Sequence, residues 1–246
     1  MKPRGGHIGI VAVSAEGAAL CYRTIAAEGC AAFGRHGHPR MTMHTRPLCD
    51  YMALMDAGDW DGVAALLQES ASVLEQAGAD LLICPDNTVH RVFDVVTRDS
   101  RVPWLHIARE VAAVAATAHH RRVALVGTRA LMESSVYQDA LSARGIETVV
   151  PGADDRARLD TIIFDELVYG IVHASTRAAI GDIIARLPCD AVALACTEIP
   201  LAVDGARTGV PILDSTRILA RAALRHAADP TDGERLALQS TGTRDP

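Results

Sequence analysis

No block of lysine and arginine occurs anywhere in the 246 residues, where 24 basic side chains stand against 30 acidic ones and leave a net charge of −6. A phosphate-tracking surface needs such a block, so nucleic acid is excluded as a partner. No apolar run approaches the roughly 18 residues of a membrane span, which predicts a soluble chain with no membrane partner. The six cysteines include no CxxC pair and no histidine spacing suggestive of zinc. Neither a disulfide lattice nor a structural metal is expected, and a reducing cytoplasm fits best. A Gly-x-Gly-x-x-Gly or phosphate-loop motif is also lacking, so no nucleotide cofactor is expected. Lys2 and Arg4 before the apolar Ile8–Val13 imitate a secretion signal, but the stretch is short and Glu16 follows. It reads as a first β-strand.

What the chain does have is alternation. Short runs rich in Val, Ile and Leu alternate with longer amphipathic stretches, the pattern of parallel strands covered by helices, and the fold class is α/β. Strands are predicted at Ile8–Ala12, Arg40–His44, Leu81–Cys84, Trp104–Ile107, Val123–Val126, Thr148–Val150, Ala191–Leu194 and Ile212–Leu213. Trp60, Val63, Leu67, Leu74 and Ala77 form a helical stripe between Asp59 and Gly78. Similar stripes cover Ala108–Ala118, Ala130–Ala143, Leu159–Gly170 and Arg177–Leu187.

No Pro/Gly/Ser-rich linker divides the chain, yet it carries an internal echo. A shift of 110 positions lays Asp80-Leu-Leu-Ile-Cys-Pro-Asp86-Asn-Thr over Asp190-Ala-Val-Ala-Leu-Ala-Cys196-Thr-Glu, and Ile8-Gly-Ile-Val-Ala pairs with Val123-Ala-Leu-Val-Gly. Two similar α/β halves are the economical reading. The expected division is 1–108 with 215–228 as one domain, 109–214 as the other, and a polar mobile tail over 229–246. Ligands of open parallel sheets bind beyond the carboxyl ends of the strands, which makes Asp86 and Cys196 equivalent positions.

Cys196 follows the apolar Ala191–Ala195 directly and precedes the polar Thr197 and Glu198. A lone cysteine is often core filler, but a polar strand-end setting suits a thiol that reacts. Cys21, Cys30, Cys49 and Cys189 lack that setting and read as packing residues. The companion cluster is Pro85-Asp86-Asn87-Thr88-Val89-His90, with Thr88 placed to cap the next helix and His90 in its first turn. Locally, a capped turn with a solvated histidine explains this cluster equally well. Gly127-Thr128 forms a strand-to-helix turn of the anion-binding kind.

These motifs resemble the aspartate/glutamate racemase superfamily, which includes hydantoin racemases, maleate isomerases and arylmalonate decarboxylases. The resemblance spans about residues 7–228 through Ile8-Gly-Ile-Val, Gly78-Ala-Asp80, Asn87-Thr-x-His90, Gly127-Thr128, Tyr137, Leu141, Glu166-Leu167, Ser175 and Ala195-Cys-Thr-Glu-Ile-Pro-Leu201. It implies two pseudo-symmetric α/β domains with the active site between them, and a possible homodimer. It also implies a racemase without cofactor or metal, in which two cysteines work on opposite faces of a small carboxylate substrate, by default aspartate or glutamate.

The sequence departs from that pattern where the first cysteine is expected, because Asp86 stands there. Cys84 points to the same face but lies about 6.6 Å short of the strand end. The inferred acid/base pair is therefore Asp86 and Cys196. A carboxylate can accept a proton and its acid form can return one, and such an asymmetric pair is expected to favour one enantiomer. Alternatives are a decarboxylase or isomerase that uses Cys196 alone, and a catalytically silent small-carboxylate-binding protein. Ser14, Asn87, Thr88, His90, Thr128, Thr197 and Glu198 are the candidate substrate ligands. Arg46, His44 and Arg129 are the available cations, and Tyr51-Met52 occupies the place of the family's Asp-Arg. Glu166 and Ser175 read as a helix-surface carboxylate and a helix cap.

Overall fold

Two aspartates show how the strand pattern becomes a repeated unit. In the computed structural model, which describes residues 6–203 and 208–229, Asp80 accepts the His7 N–H at 2.8 Å and returns its own N–H to the His7 carbonyl. Asp190 accepts the Arg121 and Arg122 N–H groups and donates its N–H to the Arg122 carbonyl. Each carboxylate thus clasps the start of the neighbouring strand and fixes its register. The opening aspartate of the sequence echo has this job twice.

The strands are β1 (His7–Ala12), β2 (Arg40–Thr45), β3 (Leu81–Ile83), β4 (Trp104–Leu105), β5 (Arg122–Gly127), β6 (Glu147–Val149), β7 (Ala191–Ala195) and β8 (Ile212–Asp214). They form two parallel four-stranded sheets ordered β2-β1-β3-β4 and β6-β5-β7-β8, the same order in each half. Among the described residues the bounded helices are α1 (Ala15–Glu28), α2 (Cys30–Phe33), α3 (Leu48–Asp56), α4 (Trp60–Gln76), α5 (Phe93–Thr97), α6 (Ile107–Thr117), α7 (Arg129–Met132), α8 (Val136–Ser142), α9 (Ala153–Asp165), α10 (Ala174–Ala185) and α11 (Ser215–Ala228). Both sheets are flanked by helices, and the architecture is α/β with two parallel sheets.

The chain divides into two compact units. Among the described residues, one is built from 6–85, 92–106 and 219–229; the other takes 86–91, 107–203 and 208–218. In the first, α4 shows how sequence sets an element. Asp59 caps it by accepting the Gly62 N–H at 2.8 Å, a bond worth about 1 kcal/mol. Val63, Leu67, Ala71 and Leu74 bury one face, at about 1.5–3 kcal/mol for each large side chain. Gly78, at φ 82°, then turns the chain out of the helix. In the second unit, Val123, Leu125, Leu131, Tyr137, Leu141, Ile163, Ile183 and Leu194 belong to one continuous buried cluster.

Several elements differ from the sequence expectation. The stripe over Ala130–Ala143 is two helices, because the Ser134 N–H and hydroxyl both donate to the Leu131 carbonyl and the Ser134 hydroxyl accepts the Val136 N–H, which breaks the helical bonding after Glu133. The stripe over Leu159–Gly170 begins earlier and stops at Asp165, where Glu166 leaves helical geometry and a short 3-10 turn follows. Glu166 is not a free helix-surface carboxylate, since it accepts a hydrogen bond from Thr176. Ser175 is not a cap, for α10 begins at Ala174 with His173 before it. β4 ends at Leu105 because Ile107 already starts α6. Cys30 and Cys49 are exposed rather than packing residues, whereas Cys21 and Cys84 are buried. The expected polar tail falls on residues 230–246, which lie outside the described ones. Among the described residues no helix is long and apolar enough to cross a membrane.

Candidate active site

Cys196 sits directly after β7, buried. Gly127 helps to place it, because β5 pairs Gly127 with Ala195 and a Cβ at 127 would lie 2.8 Å from the Ala195 carbonyl oxygen. Only a glycine allows that approach without displacing backbone. The Cys196 S–H donates to Glu198 Oε2 at 3.0 Å, and the Thr197 hydroxyl donates to the same oxygen at 2.8 Å. All three residues are buried. Burial pushes the Cys196 thiol well above its ordinary range, and the charges of Glu198 and then Asp86 push it the same way.

Asp86 belongs to the same compact unit as Cys196. Its carboxylate accepts the Val89 N–H at 3.1 Å and so caps the 3-10 turn Thr88–Val92. Asp86, not Thr88, is the capping residue; position 88 already lies inside the turn. Desolvation nevertheless outweighs the backbone hydrogen bonds and, with the charge of Glu198, raises the Asp86 carboxyl from 3.8 to about 6. Asp86, Glu198 and Cys196 are therefore close enough to sense one another's charge.

His90 is buried rather than solvated. Its Nδ1 lies 2.7 Å from the Asp86 carbonyl, which can only accept, and its Nε2 accepts the Ile107 N–H at 3.2 Å. These partners select the tautomer with the proton on Nδ1. The ring ties the turn carrying Asp86 to the first residue of α6.

Asn87 is likewise held by protein. Its Oδ1 accepts the Tyr137 hydroxyl at 2.7 Å and its Nδ2 donates to Ser215 Oγ at 3.2 Å, while Ser215 Oγ donates to the Leu194 carbonyl at 2.8 Å. Tyr137 is fully buried, and burial keeps its phenol protonated far above the ordinary tyrosine range. This chain links the residue beside Asp86 to β7, the strand that Cys196 directly follows. Ser215 went unnoticed in the sequence; its signal is a hydroxyl at the junction of β8 and α11. Tyr137→Phe leaves the Asn87 oxygen without this donor, which is expected to cost about 1–3 kcal/mol. Turnover is expected to fall about tenfold with KM little changed, measured by steady-state kinetics and thermal melts.

Thr88 and Thr128 stand with their hydroxyl oxygens 3.3 Å apart, and Thr128 Oγ1 also accepts the Leu131 N–H at 3.3 Å as the cap of α7. Ser14 lies in the other unit, where it caps α1 by accepting the Gly17 N–H at 3.1 Å. Of the cations, Arg46 pairs with Glu69 and Arg129 is exposed. Tyr51 is fully buried.

Two parallel four-stranded α/β sheets of matching strand order define a fold class, and comparison with known proteins gives the family. The Asp/Glu/Hydantoin racemase model matches residues 8–223, so the chain belongs to that family and is an isomerase of racemase type. The broad specificity amino-acid racemase RacX of Bacillus subtilis is 26% identical over 166 residues, covering 66% of this chain and 71% of the relative. A protein from Yersinia pestis described as a candidate Asp/Glu racemase superposes with a TM-score of 0.83 at 30% identity, over 91% of this chain and all of that one. PH1733, an aspartate racemase homologue from Pyrococcus horikoshii OT3, gives a TM-score of 0.78 at 29% identity, over 93% of this chain and all of that one.

Proposed function

We propose that the protein interconverts the enantiomers of an amino acid, without a cofactor, by moving the α-proton between Asp86 and Cys196. The observation that carries this reading is the pairing, in one compact unit, of a carboxyl with its pKa near 6 and a buried thiol held protonated. At neutral pH the first is a base and the second an acid. Asp86 removes the α-proton from one face and becomes the carboxylic acid; the Cys196 thiol gives its proton to the opposite face and becomes the thiolate. The return reaction uses the groups in their exchanged states. Thr88 and Thr128 supply hydroxyls for the substrate carboxylate.

Aspartate and glutamate are the substrates to test first, followed by the wider range suggested by the broad specificity of the Bacillus relative. Enantiomers have equal free energy, so kcat/KM must be the same in both directions. The asymmetry of the pair therefore appears as kcat and KM values that differ in proportion, not as one-way turnover. Single enantiomers incubated in D₂O are expected to gain one α-deuterium as they invert, followed by NMR and chiral chromatography. Deuteration and inversion absent across the amino acids would overturn the reading, and CO₂ release would replace it with decarboxylation.

A further inference from the structure

We propose that Glu198 holds the resting Cys196 as a thiol, and so makes Cys196 the proton donor and Asp86 the base of the unreacted enzyme. The inference rests on the reading of Cys196 given above and moves Glu198 from the substrate ligands to the positioning residues. Glu198 is only 4% exposed, and one of its oxygens, Oε2, accepts both the thiol at 3.0 Å and the Thr197 hydroxyl at 2.8 Å. That oxygen faces donors of its own chain. A substrate carboxylate placed there would meet like charge instead of a donor.

The same charge opposes ionisation of the sulfur. Burial acts most strongly on the Cys196 thiol, and the charged groups that add to it among the described residues are Glu198 and Asp86, both negative. A hydrogen bond from S–H to a carboxylate favours the protonated thiol, because ionisation would turn donor and acceptor into two facing anions. When Cys196 gives its proton to a substrate, the resulting thiolate stands against Glu198. That form lies higher in energy, and regaining a proton restores the thiol. The form of the free enzyme that awaits substrate is thus set by residue 198.

The test reads the thiol without any substrate. In a background with the exposed Cys30 and Cys49 replaced by serine, iodoacetamide modification of Cys196 is followed against pH by mass spectrometry of its peptide. Glu198→Gln is expected to move the midpoint down by about one pH unit and to speed modification at pH 7.5 about tenfold. Thr197→Val removes the competing donor, leaves more of the Glu198 oxygen to the thiol, and is expected to move the midpoint up. If Glu198→Gln fails to fold, the isosteric Thr197→Val still decides the sign. An unchanged midpoint in Glu198→Gln, an equal acceleration at every pH, or shifts of the same sign in both variants would overturn the proposal. Failure of the racemase reading registers separately, as absent α-deuteration with the midpoint shifts intact.

Discussion

Asp86→Asn is expected to slow racemisation by about 10²–10⁴-fold while making the protein more stable at pH 8. The loss of activity follows from removing the base, since the amide cannot take the α-proton. The gain in stability follows from the raised carboxyl, displaced from 3.8 to about 6 by burial. A carboxyl whose folded pKa is raised lends its full stability below the unfolded value, and that stability is lost as pH rises through the folded value. Above about pH 6 the wild type holds an ionised group at a partly buried position, and linkage sets the penalty at about 3 kcal/mol at most. Asparagine at 86 keeps the oxygen that caps Val89 and carries no charge. Thermal melts of the two proteins should therefore differ at pH 8 and converge below about pH 4. In the wild type, kcat/KM should rise with a midpoint near pH 6, and the variant should lack that limb. Equal stability at both pH values would show that the carboxyl is not raised.

Cys196→Ser is expected to lose inversion by about 10³-fold or more, because a serine hydroxyl is a far weaker acid than a thiol. It should nevertheless keep one reaction. Asp86 still removes the α-proton of the enantiomer it faces, exchanges it with solvent and returns a deuteron to the same face. In D₂O that enantiomer should acquire deuterium with retention of configuration, while its mirror image stays unlabelled. Asp86→Asn should show no such exchange on that enantiomer. The two variants thus assign one group to each face, and the assignment fails if Cys196→Ser exchanges both enantiomers or inverts them at the wild-type rate.

Much of the fold was legible because buried parallel strands are written as uninterrupted apolar runs. Ala191–Leu194 and Val123–Val126 needed no partner to be recognised. Helix ends were less legible, since they depend on side chains that compete with the backbone, as Ser134 does between α7 and α8. Asp86 and Cys196 could be singled out because each follows a strand within a local motif. The Tyr137–Asn87–Ser215 chain was not, for its members lie 50 and 128 residues apart and nothing in the local pattern at Asn87 points to them. Cys30 and Cys49 were misjudged for a related reason. A thiol that lacks a strand-end setting can still face solvent, and only the packing of the helices around it decides.

The matching order of the two sheets has a consequence for any attempt to divide this protein. One half of the repeat carries Asp86 after its third strand, and the other carries Cys196 after the corresponding strand. The Asp86–Arg91 segment is borrowed by the unit to which it is not contiguous. A fragment running from Ile107 to Ile218 would therefore retain its sheet, its thiol and Glu198, but would leave behind the carboxylate, the His90 tether and the Asn87 link to Tyr137. On the proposed assignment, a single copy of the repeat holds one proton-transfer group and is expected to exchange at one face only. Inversion of configuration is then expected only of a chain that carries both copies.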